Sequence, residues 1–197
     1  MMKSPLGRLS DIVDKVVDPS IKAAVREDVQ QLIGQTNYLY ESPVGFIDIV
    51  QVGEHISRIS FCDDSAIFEP SLTAGTELLK QVSVKLDAYF AGESVDFKEI
   101  PVEIESGTEF QNSVWDTIHQ IPYGEVRSYK WIAEKIGRPK AVRAVGNATG
   151  SNPITIINPC HRVVGSNGKL GGYGGGLERK RQLLKLEGYT VEGLSGK

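Results

Sequence analysis

The sequence predicts an α+β protein. A small α/β N-terminal domain, an antiparallel sheet with helices, precedes a mostly helical C-terminal domain that contains a helix-turn-helix. Three observations predict this. Residues 37–62 are short apolar-rich runs separated by turn residues, the pattern of strands. Leu72, Leu79, Val82, Leu86 and Phe90 then fall on one helical face. Beyond residue 105 the pattern turns to short helices broken by Gly and Pro.

The elements follow in order. In residues 1–36, Asp18-Pro19 offers an N-cap and a first-turn proline. Ile21, Val25, Val29 and Ile33 repeat at four-residue spacing and Gly34 ends the run, so this segment reads as a helical extension. An N-terminal α/β domain with its linker occupies 37–104. Its turns are Ser42–Gly45 and Gly53–His55, its strands Phe46–Val52 and Ile56–Cys62, and Gly92 closes its helix. The polar stretch 93–106, with Pro101, suits the linker. The C-terminal domain spans 105–197. Phe110, Val114 and Ile118 mark a helix ending before Pro122-Tyr123-Gly124. Ser128 caps a helix Tyr129–Ile136, Gly137-Arg138-Pro139 breaks it, and a small-residue helix follows at Lys140–Thr149. Two short helices joined by a Gly-containing turn form a helix-turn-helix pattern, although helix pairs in bundles read similarly. Last come Gly171–Gly176 and a helix Leu177–Glu187, in which Leu177, Leu184 and Lys180/Arg181 suggest amphipathicity.

Composition narrows the function classes. The chain has 197 residues, 40% of them apolar and 24% charged, as in soluble globular proteins. No apolar run approaches the ~20 residues that cross a bilayer. Charges interrupt the first residues throughout, unlike a secretion signal, and a cytoplasmic location is expected. Cys62 and Cys160 are far apart, and with three scattered histidines they offer no metal spacing. No metal, cofactor or disulfide is therefore expected. Residues 1–104 carry 9 Lys and Arg against 17 Asp and Glu, net −8; residues 105–197 carry 13 against 8, net +5. That division is ordinary surface variation or the footprint of an anionic partner such as nucleic acid. Arg127, Lys130, Arg138, Lys140 and Arg143 around the helix pair favour DNA.

The segment Ser151–Val164 carries the chemistry. A short apolar run delivers Cys160, with Pro159 before it and His161 and Arg162 after. A thiolate is a nucleophile, and cationic neighbours lower a thiol pKa. Adjacent side chains rarely bond directly, but a water from Cys160 to His161, with a carboxylate on the far ring nitrogen, solves the geometry. A buried structural cysteine is the plainer reading of a lone Cys-His pair. Glycines before the last helix allow a close backbone approach to a ligand, and Tyr173 among them suggests the aromatic wall of a pocket.

Pro159-Cys160-His161-Arg162-Val163 resembles the active-site signature of the alkylguanine-DNA alkyltransferases, or methylated-DNA–protein-cysteine methyltransferases. The resemblance runs from about Ser42 to Gly188 and includes Phe110–Trp115, Tyr123–Tyr129, Ala141–Gly146, Asn152-Pro153, Gly172-Tyr173 and Glu187-Gly188. It implies direct reversal of DNA damage: an alkyl group moves from oxygen-6 of guanine, less readily from oxygen-4 of thymine, to Cys160. The thioether is not reversed, so each molecule acts once.

The resemblance further implies that His161 takes the thiol proton through a water and that Glu187 orients His161. It implies that Asn152 braces the active-site turn, and that Tyr129 meets the target base and protonates the leaving guanine. Tyr173, Gly174 and the carbonyls of Cys160 and Val163 would contact the base. Arg143 would fill the stack of a flipped nucleotide, with Ser128, Tyr129, Ala144 and Gly146 at the DNA surface. The partner would be duplex DNA bound through the minor groove by a monomer.

Two residues depart from the pattern. Asn158 stands where an apolar residue commonly precedes Pro159, and Gly174 where some relatives have serine. The cysteine cluster of the two-function adaptive-response proteins is missing, so phosphotriester repair is not expected. A non-catalytic sensor of alkylated DNA is the alternative, and Cys160 counts against it. A sequence-specific regulator is disfavoured because little beyond Arg143 could read base edges. A cysteine hydrolase is disfavoured because its Cys and His normally come from distant positions.

Overall fold

The computed structural model describes residues 34–62, 75–104 and 107–189; the predicted helix before Gly34, and Leu72, lie outside them. The chain divides into two compact units, 1–36 and 37–197. Strands β1 (Gln35–Ser42), β2 (Gly45–Val52) and β3 (His55–Cys62) form a sheet in that order, with β2 and β3 antiparallel. Gly53 adopts φ +55°, which lets the β2–β3 turn close tightly. Ile47 and Ile49 on β2, and Ile56 and Ile59 on β3, are buried under helix α1 (Glu77–Phe90). Thr76 caps α1 by accepting from the Leu79 N–H at 3.1 Å. The α1 residues that bury fully are Leu79, Val82, Leu86 and Tyr89. Phe90, expected on that face, is only partly buried, because the four-then-three step from Val82 through Leu86 leads to position 89.

The stretch expected to be a polar linker has no helix, yet it packs. Phe97 and Ile100 bury in the core of the sheet and α1. Strand β3 is an edge, and its free backbone groups recruit cover. The Ile56 N–H donates to the Pro101 carbonyl at 2.8 Å, and the Glu103 N–H to the Ile56 carbonyl at 3.1 Å. Further along the same strand, the Ile59 N–H donates to the Pro153 carbonyl at 2.9 Å, and the Ile59 carbonyl receives the Thr155 N–H at 2.8 Å. The chemistry-bearing segment is thereby fastened to the N-terminal sheet.

Helix α2 (Glu109–His119) begins with a reciprocal capping box between Thr108 and Gln111 and buries Val114, Trp115 and Ile118. Helices α3 (Tyr129–Lys135) and α4 (Val142–Gly150) form the expected pair, with Ser128 capping α3 and Gly137 at φ +69° between them. The Trp115 indole N–H donates to the Ala148 carbonyl at 2.7 Å and joins α2 to α4. Two-residue strands β4 (Arg127–Ser128) and β5 (Val163–Val164) pair in parallel. They were not foreseen, because two residues show no periodicity. Helix α5 spans Leu177–Leu186, with Glu187 as its C-cap. Among the described residues no helix is long and apolar enough to cross a membrane.

Candidate active site

The loop from Asn152 to Pro159 is held from two sides. Its Ile154 bridges β3, and its end enters a 3₁₀ turn at Cys160–Arg162 that runs into β5. Ile156 has φ +70°, a left-handed conformation that a β-branched residue adopts only when its surroundings impose it, at a cost of about 1–3 kcal/mol. The Asn152 amide spans this loop. Its NH₂ donates to the Asn158 carbonyl at 2.8 Å and to Cys160 Sγ at 3.1 Å, while its Oδ1 accepts from the Ile154 N–H at 3.2 Å. Cys160 itself is 5% exposed.

Beside the cysteine lies a buried polar cluster. His161 Nε2 is 2.7 Å from Glu187 Oε1, and both side chains are fully buried. The Tyr89 hydroxyl donates to the same oxygen at 2.8 Å. Arg162 grips the carboxylate with two nitrogens, Nε to Oε2 at 2.8 Å and Nη2 to Oε1 at 2.9 Å. Its Nη1 donates to the Ile121 carbonyl at 2.6 Å, and the Gly124 N–H reaches Glu187 Oε2 at 3.3 Å. A carboxylate only accepts, so Nε2 of neutral His161 carries the proton and Nδ1 is left as a base. His161 Nδ1 is buried with no hydrogen-bond partner among the described residues.

A cavity of about 550 Å³ is lined by Tyr129, Arg143, Gly146, Gly172, Tyr173 and Gly174, among others. Tyr129 and Tyr173 also pack against the core cluster that contains Cys160. The Tyr129 hydroxyl donates to the Gly172 carbonyl at 3.3 Å, and the Tyr173 hydroxyl lies 2.8 Å from Thr155 Oγ1. A side chain at Gly171, which has φ +69°, would place its Cβ 2.7 Å from the Tyr129 ring. Glycine there lets the loop lie against that tyrosine. Arg143 and Ala144 are exposed on α4, and Gly146 is half-buried. The Ser128 hydroxyl is occupied as a cap, accepting from the Trp131 N–H at 3.0 Å.

Comparison with known proteins identifies the family of the chain. Residues 37–104 match the family model for the ribonuclease-like domain of 6-O-methylguanine DNA methyltransferase, and 109–189 match the model for its DNA-binding domain. A methylated-DNA–protein-cysteine methyltransferase from Methanosarcina acetivorans is 49% identical over 154 residues, covering 76% of this chain and 96% of that protein. One from Mycobacterium leprae is 47% identical, covering 77% and 91%. This chain belongs to the methylated-DNA–protein-cysteine methyltransferase family. Among solved structures, the Mycobacterium tuberculosis O6-methylguanine methyltransferase matches with TM-score 0.67 and 44% identity, over 78% of this chain and 92% of that one. The same organism's OGT in complex with DNA matches with TM-score 0.69 and 41% identity, over 80% and 94%.

Electrostatics in this methyltransferase site departs from the expectation that cationic neighbours activate the thiol. Burial pushes the Cys160 thiol up, against the lowering effect of the Asn152 hydrogen bond and the Lys180 charge. Arg162, two residues on, turns its charge onto Glu187 instead. Burial alone would raise the Glu187 carboxyl, but hydrogen bonds from His161 and Arg162, with the Arg162 charge, outweigh it and bring it down to about 2. Burial also lowers His161 and raises Tyr129 and Tyr173, so the imidazole stays neutral and the phenols stay protonated at neutral pH.

The structure brings Cys160, His161, Glu187 and Asn152 together, with Tyr129 and Tyr173 at the adjoining cavity. It adds residues that the sequence reading missed. Lys180, placed on a polar helix face, is fully buried, and burial brings its pKa down to about 8. Its ammonium donates to the carbonyls of Val163, Leu170 and Gly172 at 2.6, 2.5 and 3.1 Å. Three acceptors match its three protons, which makes this side chain the tie between β5 and the glycine-rich loop. The Val163 carbonyl, expected to meet a base, already accepts one of those bonds. Tyr89 was the other omission. Its spacing from Val82 and Leu86 signals burial, but nothing in the sequence marks its hydroxyl as a partner of Glu187.

Proposed function

We propose that this methyltransferase repairs DNA by direct reversal, moving an alkyl group from oxygen-6 of guanine, less readily oxygen-4 of thymine, to Cys160 in a single turnover. The observation that carries the reading is the order Glu187, His161, Cys160, with the His161 proton assigned to Nε2 and a buried, unpartnered Nδ1 on the residue that follows the thiol. A water between Nδ1 and Sγ carries the thiol proton to His161, and the imidazolium formed is stabilised by the Glu187 carboxylate. Sγ attacks the alkyl carbon in line as the carbon–oxygen bond breaks. The guanine leaves with that electron pair and takes a proton from the Tyr129 hydroxyl, which recovers one from the imidazolium side. Net, the thiol proton ends on guanine and the alkyl group on sulfur. The thioether has no leaving group good enough to release the carbon, which supports single use.

Oxygen-6 is hidden in a duplex, so the nucleotide rotates out at a cost of a few kcal/mol, and the cavity lined by Tyr129, Tyr173 and Gly174 receives it. Helix α4 approaches the minor groove, where Ala144 and Gly146 permit close contact and Arg143 fills the vacated stack, with Ser128 near the backbone. The crystal of the tuberculosis relative with DNA supports this partner. Residues 37–104 serve as a supporting domain and 105–197 as the DNA-binding and transfer domain of a monomer. No metal or cofactor takes part.

The test is mass spectrometry after incubation with duplex containing methylated guanine. One methyl on the Cys160 peptide is the expected result, and Cys160→Ala loses transfer while keeping lesion binding. An unmodified peptide with intact lesion binding makes the protein a sensor of alkylated DNA instead.

A further inference from the structure

Asn158 stands immediately before Pro159 and is buried, 6% exposed. Its side-chain NH₂ donates to Asn152 Oδ1 at 3.1 Å, while its own Oδ1 is buried with no hydrogen-bond partner among the described residues. Such a residue is a poor choice on stability grounds. An apolar side chain would leave no unmet acceptor, and an unmet buried acceptor is destabilising. The hydrogen bond it makes therefore points to a purpose at the site.

The orientation of both amides follows from their neighbours. Turning Asn158 over would set its oxygen against Asn152 Oδ1, two acceptors face to face. Turning Asn152 over would set its oxygen against the Asn158 carbonyl and the sulfur, and its NH₂ against the Ile154 N–H. With Asn158 in place, Asn152 Oδ1 receives two donors, Ile154 N–H and Asn158 Nδ2. Donation into an amide oxygen polarises the amide and makes its NH₂ a stronger donor. That NH₂ is the group 3.1 Å from Sγ.

We propose that Asn158 is a positioning residue: acting through Asn152, it holds and polarises the amide that stabilises the Cys160 thiolate, and so sets the reactivity of the nucleophile. The proposal rests on the reading of Cys160 as the alkyl acceptor. The sulfur is in a setting where such a donor matters, since burial disfavours its anion. The other groups acting on it are Lys180 from α5, Tyr129 from α3, Tyr173 from the glycine-rich loop and the Thr155 side chain from its own loop. Substitution at 158 leaves all of them in place.

The experiment uses the full chain and two variants, Asn158→Leu, close in shape, and Asn158→Val. Modification of the Cys160 peptide is followed against pH with iodoacetamide and, separately, with free benzylated guanine base. The thermal midpoint of each protein is measured alongside. Both variants should keep or raise the thermal midpoint, since the unmet oxygen is gone. Their iodoacetamide profiles should shift to higher pH, with Cys160 modified about 3- to 10-fold more slowly at neutral pH, the worth of one hydrogen bond. Profiles that coincide with the parent protein overturn the proposal, as does slowing that tracks a fallen thermal midpoint. If the parent protein leaves methylated guanine in duplex unrepaired while the iodoacetamide shift remains, the alkyl-transfer reading fails and the role of Asn158 stands.

Discussion

The interior around Glu187 and the exposed face of α4 lie in one compact unit and are built on opposite principles. In the interior every charge is matched. Glu187 accepts from Tyr89, His161, Arg162 and Gly124, and Arg162 also holds Ile121. On α4, Arg143 and Ala144 face solvent, and the helix is made of small residues with no side-chain cap at its start. Chemistry that needs a histidine in one tautomer is placed where burial and hydrogen bonds permit only that tautomer. The contact with a long polymer proposed for α4 falls where the surface stays open and little stability depends on the exposed side chains.

Removing one partner from the closed network should have the largest effect. Glu187→Ala leaves Arg162 buried without its counter-ion and the His161 and Tyr89 donors without their acceptor, and should cost about 3–5 kcal/mol in urea unfolding. A loss under about 1 kcal/mol, within the range of an exposed pair, would show that the interior is not closed as described. Acid should act on the same group next. With Glu187 held at about 2 against an ordinary 4.5, its stabilisation is complete above about pH 4.5 and disappears as pH falls through 2. That amounts to about 3 kcal/mol, read as a steep decline of unfolding free energy that is blunted in Glu187→Gln. Tyr89→Phe removes a single bond to a carboxylate and should cost about 1.5–3 kcal/mol, with DNA affinity unchanged. Arg143→Ala sharpens the contrast from the other side. Its stability should change by less than about 0.5 kcal/mol. Repair in duplex should slow more than reaction with free alkylguanine base, and equal slowing of both would deny Arg143 any part in flipping.

Local signals were readable where residues decide their own conformation. Ser128 before the α3 run, Gly137 after it and the Val114–Ile118 spacing placed three helices within a residue or two of their ends. The Cys160-His161 pair and the carboxylate it needed were legible as a requirement, and the resemblance pointed to Glu187. What escaped was packing at a distance. Phe97 and Ile100 sit in a polar stretch, and only the open edge of β3 explains why that stretch folds back onto the core. Lys180 occupies a helix whose polar residues suggest exposure, yet three carbonyls from β5 and the glycine-rich loop converge on it. Arg162 was legible as a charge beside a thiol, while its direction depended on where Glu187 lay.

By itself the sequence determined most of the order of elements, the turns that separate them, the candidate nucleophile Cys160 and the small-residue helix, because these depend on side-chain type and near neighbours along the chain. Tertiary structure alone decided the proton on His161, the state of the Cys160 thiol and the partners of Lys180, Tyr89 and Arg162. Those depend on which groups from distant segments share a water-poor interior, where a charge is tolerated only beside its match.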